Sequence, residues 1–257
     1  MIVRDAGDVF VMVAQHDHAQ LSGDVAKHFA NWYFVDDGYR ADVVTAIYEH
    51  DRGWIRLDDA PIWNDRTSSP FTFMDYPLLS KLTHYTLGID ETERMSGYAA
   101  LLCSRHYSAL LARFADGQPE IAEFLAQELA RQKRISDQIV MPPEDTVRRH
   151  FGLLQLCDDI SLYACLNEPG ASKREEHPWY ADGFGVSASL TPAGEGKLMA
   201  AWTNGGDIRM TPMPFRRSFA AKLRQKRVPK QLVEREGLQE AFRRTDWMEQ
   251  ELYFTGG

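Results

Sequence analysis

The stretch AIYEHDRGW, Ala46 to Trp54, sets a histidine and an aspartate side by side at the end of an apolar helical run. A second helical run, LLQLCDDIS, carries Asp158 and Asp159 among leucines. A buried carboxylate without a partner is costly, so carboxylates on apolar helix faces need cations or a metal to meet them. Any fold for this chain has to bring such groups to both places.

The surrounding periodicity predicts the helices that can do so. Leu21, Val25, Phe29 and Trp32 recur at helical spacing in HAQLSGDVAKHFANW, as do Val43, Val44, Ile47 and Tyr48 in RADVVTAIYEHD. Helical patterns resume at LLSKLTHYTLGIDETERM, GYAALLCSRHYSALLARF and PEIAEFLAQELARQKRISDQI. The last, EDTVRRHFGLLQLCDDISLYACL, opens on acids that suit a helix dipole, which makes about six helices. VRDAGDVFVMVAQ reads as two short strands around an Ala-Gly turn, the second being Val9 to Val13. From Ile55 to Pro77 a long segment rich in Asp, Ser, Pro and aromatics is a candidate lid, with Trp63 and PFTFMDYP packing it down. After Pro169, FGVSASL, GKLMAAWT and DIRMTPMPF read as three antiparallel strands joined by the turns AGEG and NGGD, and the N-terminal strands can join them. REGLQEAFRRTDWMEQELYF starts as a helix and ends strand-like.

Bulk properties exclude several classes. Hydrophobic residues at 44% and charged residues at 26% are ordinary globular values, against disorder or a fibrous repeat. No apolar run approaches the ~20 residues of a membrane helix, and acids occupy the N-terminus where a signal peptide needs an apolar core, so a cytoplasmic protein without a membrane partner is expected. Cys103, Cys157 and Cys165 form no CxxC pair and read as buried thiols. There is no G-x-G-x-x-G or P-loop, and Ser104 in CSRHY lacks the Gly-rich elbow of a serine nucleophile. The net charge is −8, yet Ile208 to Val233 holds eight Lys or Arg and no acid. Its apolar members Phe215, Phe219, Leu223 and Val228 suggest an arm packed on the body with its charges paired, so no nucleic-acid partner is expected.

In chain order His18, His50, Asp51, His84, His106 and Asp158 each fall on or at the end of one of these helices. Imidazole and carboxylate donors suit divalent metals, and helices facing one interior can gather them from distant positions. His16 competes with His18 for the first place, and Asp159 with Asp158 for the last; His28, His150 and His177 have no such context.

The order H…HD…H…H…D resembles that of the HD-domain superfamily of metal-dependent phosphohydrolases, over about Gln15 to Leu166. His18 is followed by the small residues Ser22, Gly23, Ala26 and Ala30, AIYEHDRG looks like the HD signature, and LLQLCDDIS looks like the closing Asp helix. At closer range the chain is similar to an uncharacterised bacterial family carrying QHDHA and HDxGW. The resemblance implies a mainly α fold: an HD-domain-like helical bundle with a small antiparallel β-sheet from the C-terminal third and possibly the N-terminus. One compact unit is expected, with a helical core over 15–168 and a β-rich extension with a terminal helix over 169–257. It also implies one or two divalent ions (Fe, Mn, Ni or Zn) and hydrolysis of a phosphoester in a small, anionic substrate. The alternatives are an HD-type diiron oxygenase acting on a small polar or phosphonate-like substrate, and a metal-stabilised binding module without catalysis. Many HD proteins carry lysine in HDxGK where this chain has Trp54; Arg52, Arg105 or an arginine of the basic segment are the candidates to replace that cation, with Asp51 central to the chemistry.

Overall fold

The computed structural model describes residues 1–191 and 196–256. The chain opens with a hairpin, β1 (Ile2–Ala6) and β2 (Val9–Val13), whose tight turn places Gly7 at φ 72°. Helices α1 (Gln15–His28), α2 (Arg40–Glu49) and the one-turn α3 (Ile55–Asp58) follow. A two-residue hairpin, β3 (Trp63–Asn64) and β4 (Ser69–Pro70), leads to α4 (Leu78–Glu93), α5 (Gly97–Ala112), α6 (Pro119–Gln138) and α7 (Glu144–Leu166). The last third contributes β5 (Met199–Trp202), β6 (Asp207–Thr211), β7 (Phe219–Pro229), α8 (Lys230–Glu236), α9 (Leu238–Arg244) and β8 (Met248–Gly256).

The expected helical bundle with a small antiparallel sheet is not what forms. Helix accounts for 53% and strand for 18%, and six strands make one curled, mixed sheet, a half-barrel. Its order is β1-β2-β7-β8-β6-β5, with β6 and β8 parallel and every other neighbouring pair antiparallel. The strand that joins the two chain ends is β7, within the segment read above as a basic arm. Phe219, Ala221, Leu223 and Gln225 are buried on one of its faces, and Lys226 and Val228 on the other. The strand thus serves two cores: the main one beneath the helices, and a smaller one formed by Met1, Phe10, Met12, Val233 and Phe242. Lys226 enters the smaller core by donating to Phe242 O at 2.6 Å and lying over the Phe242 ring, as a long stem with a satisfied head can. Of its other charges, Lys222 pairs outward with Glu249 and Arg224 with Asp17.

FGVSASL also departs from expectation: Gly185–Ser189 is a 3-10 helix, held by Ser187, whose Oγ donates to Phe184 O and accepts from Leu198 N. AGEG falls largely on 192–195, outside the described residues, whereas NGGD is a turn in which Asn204 Oδ1 accepts from Gly206 N and Asp207 N, both at 2.8 Å. The Ile55–Pro77 segment is packed down: Phe73 N donates to Met1 O at 2.9 Å, and Tyr76 meets the Trp54 ring edge to face.

Helix α1 lies between the sheet and the other helices, touching β7, α2 and α7. Its Gly23 sits where a Cβ would come within 2.3 Å of the Tyr48 ring on α2. Helix α4 crosses the turn after α2 just as closely. A Cβ on Gly88 would lie 2.4 Å from Gly53 N, and one on Gly53 would lie 2.5 Å from His84 O. Two glycines therefore set the position of α4 relative to the His50-Asp51 turn, since real Cβ contacts cannot be that short.

Candidate metal centre

Four segments of the helical layer send polar side chains to one buried point. His18 comes from the first turn of α1, His50 and Asp51 from the end of α2, His106 from α5 and Asp158 from the middle of α7. His18, His50, Asp51 and His106 are buried, and the Asp158 side chain is 14% exposed. The Nε2 atoms of His18 and His50 are 3.2 Å apart. His18 Nε2 lies 3.3 Å from Asp51 Oδ2 and 3.2 Å from Asp158 Oδ1, and His50 Nε2 lies 3.5 Å from Asp158 Oδ1. His106 Nε2 completes the group at 3.7 Å from Asp158 Oδ2.

These spacings suit a bound ion. Donors about 2.0–2.2 Å from one centre stand roughly 3.0–3.6 Å from each other in octahedral or tetrahedral arrangements. The tautomers suit it too. His50 Nδ1 is 2.8 Å from Ile47 O, a partner that can only accept, so Nδ1 carries the proton and the Nε2 lone pair faces the cluster. His18 Nδ1 is bonded to Ser161 Oγ, which leaves its Nε2 directed at the two carboxylates. His106 Nδ1 is buried without a hydrogen-bond partner. Sets of three donors from His18, His50 and Asp51, and from His50, His106 and Asp158, lie within 4.8 Å and could hold a metal ion.

Electrostatics in the metal-free protein require positive charge at the same point. Burial alone would lower the pKa of His50, but Asp51 and Asp158 outweigh it and push it up to about 9; His18 is raised in the same way. Against the opposing effect of burial, the imidazoles hold Asp158 well below the usual carboxylate range and Asp51 below it. His106 goes the other way, down to about 4, through burial and the neighbouring imidazoles. Protons occupy this point when no ion does, so metal uptake would release them.

Other residues hold the cluster in place, and of these only Ser22 had been singled out in the sequence, as a small residue following His18. Gln15 Nε2 donates to Asp51 Oδ2 at 3.0 Å, and Tyr107 Oη donates to Asp51 Oδ1 at 3.2 Å. Ser22 and Ser161 share a 2.6 Å hydrogen bond behind His18. Helical spacing was the available signal: Gln15 stands three residues before His18, and Ser161 three after Asp158.

Three residues singled out in the sequence lie elsewhere. His84 is half-buried on α4 with Nδ1 2.8 Å from Ser80 O, and belongs to neither donor set. Adjacent helical side chains diverge by about 100°, so the approach of α4 at Gly53 turns Tyr85, not His84, toward the site. Arg52 is held by Glu49 and Glu91, and Arg105 by Glu144, so neither lines the cavity over the cluster. Between the rival pairs, His18 and Asp158 are in the cluster. His16 bonds Gln20 and faces a different cavity, and Asp159 lines the wall beside Asp158 with its pKa raised to about 7, by burial and then by the Asp158 charge.

A family model described as "Protein of unknown function (DUF3891)" matches residues 1–230. The chain belongs to this family. The DUF3891 match takes in every donor of the cluster and every residue lining the cavity above it, and it stops short of α9 and β8. No curated protein and no solved structure matches the chain. Among the described residues no helix is long and apolar enough to cross a membrane.

Proposed function

We propose that the protein is a metal-dependent hydrolase of the HD type that cleaves a phosphoester in a small molecule. The observation that carries this reading is the convergence of His18, His50, Asp51, His106 and Asp158, with the two Nε2 atoms of His18 and His50 3.2 Å apart. The chain supplies them in the HD order. Three imidazoles and two carboxylates are a donor set for Fe, Mn, Ni or Zn rather than for Ca or Mg. An ion held there would supply a water of lowered pKa and would polarise a phosphoryl oxygen, exposing the phosphorus to attack by that water with departure of the ester alcohol.

The chain's own residues fix the geometry. Ile47 O and Ser161 Oγ orient the two imidazoles, and Gln15 and Tyr107 orient Asp51. His50 has one lone pair to give, because Nδ1 is committed to Ile47, so the two donor sets that share it describe one ion. The diiron oxygenase needs a second iron, and His84, which the resemblance assigns to a wider ligand set, stands apart. This favours the hydrolase.

The test is turnover of bis-p-nitrophenyl phosphate by protein supplied separately with Mn, Ni, Zn or Fe(II). Metal-dependent release of nitrophenol, lost in His50→Ala, is expected. Metal uptake without turnover would move the reading to a binding module, and oxygen consumption by the iron form would move it to an oxygenase.

A further inference from the structure

We infer that the cavity above the cluster takes a substrate with a flat aromatic body and at most one anionic group. The inference rests on the proposed metal site only for which end of the substrate reacts. The cavity measures about 420 Å³, a volume suited to a small molecule. The donors lie at its floor, since His18, Asp51, His106 and Asp158 all line it.

Its walls are aromatic. On one side Tyr85 and Tyr107 stack with centroids 3.9 Å apart, and Trp54 meets Tyr85 edge to face at 5.9 Å. On the other, Tyr180 and Phe184 pack at 5.6 Å. Trp179, 53% exposed, meets Phe73 edge to face at 6.4 Å at the cavity's edge. A partly exposed indole at the mouth of an aromatic-walled cavity offers an edge-to-face or stacked partner to a ligand ring.

The polar groups limit what that ring can carry. Tyr180 is 3% exposed, yet its Oη is buried with no hydrogen-bond partner, beside the cavity and near enough to feel the charges of Asp158 and Asp159. Arg113 is the only Lys or Arg among the described lining residues, and its charge acts on Asp159. Di- and triphosphates are recognised by several cations or a nest of backbone N–H groups, and the lining offers one guanidinium.

Calorimetry on metal-free and Mn-loaded full-length protein tests this with phenol, toluene, phenylphosphonate, methylphosphonate and pyrophosphate. In the loaded protein phenylphosphonate should bind at least about tenfold tighter than methylphosphonate, because only it buries a ring. Phenol should bind the metal-free protein. Trp179→Ala should weaken phenol, toluene and phenylphosphonate without changing metal content. Equal binding of the two phosphonates, or pyrophosphate binding tighter than phenylphosphonate, would overturn the inference. A protein that takes up no metal would sink the metal-site reading alone, because phenol binding still reports on the cavity, and absence of phenol binding would sink the inference.

Discussion

Asp51→Asn should flatten the pH dependence of stability in the metal-free protein. His50 has an ordinary pKa of 6.5 and one of about 9 when folded, because Asp51 first and Asp158 second outweigh burial. A folded pKa above the unfolded one stabilises fully below about 6.5, and that stability is lost as pH rises through about 9. The gap corresponds to about 3 kcal/mol. Asparagine keeps the size of Asp51 and an acceptor oxygen but carries no charge, so at least about 1 kcal/mol of the pH-dependent part should vanish. The buried Met1 ammonium works in the opposite direction, since burial lowers its pKa, but it is common to both chains and largely cancels in the difference. Urea denaturation at about pH 6.5 and about pH 9.5, with chelator present, reads both slopes. Parallel profiles for the two chains would refute the reasoning, as would a native protein whose stability does not fall over that interval.

Gly88→Ala should destabilise by about 1–3 kcal/mol, because its Cβ meets backbone rather than a flexible side chain, and a thermal melt will show it. The Arg105→Ala change removes a partly exposed pair with Glu144, so it should cost no more than about 1 kcal/mol in urea denaturation and leave metal content untouched. Ser161→Ala should preserve helical circular dichroism but weaken metal binding about 10- to 100-fold by titration, since it removes the partner of His18 Nδ1.

Much of the architecture was legible because it is written in local periodicity. The β1–β2 hairpin, the long helices, GKLMAAWT, DIRMTPMPF and the helix-then-strand ending all follow from patterns of 3.6 or 2 residues. Strand β7 follows the same alternation, but Lys222, Arg224 and Lys226 at every second place drew attention to charge instead of period. Missing it concealed the sheet, because β7 is the strand that joins the N-terminal hairpin to β8. FGVSASL alternates without acquiring a strand partner, and pairing is a long-range property. The cluster was legible in part for a related reason. Buried carboxylates at Asp51 and Asp158 demand partners wherever they sit, whereas whether His84 or Tyr85 faces inward depends on how closely Gly53 and Gly88 let α4 approach.

The central claim is that five helical side chains hold one ion. Metal analysis of protein purified without added metal, followed by titration of the chelator-treated chain with Mn, Ni, Zn and Fe(II), tests it most directly. The account predicts one ion per chain, about one-to-one in the titration. It also predicts that His50→Ala and Asp158→Ala abolish that binding while far-ultraviolet circular dichroism remains that of the folded protein. A chain that binds none of these ions tightly, or binds them equally well after either substitution, would contradict it.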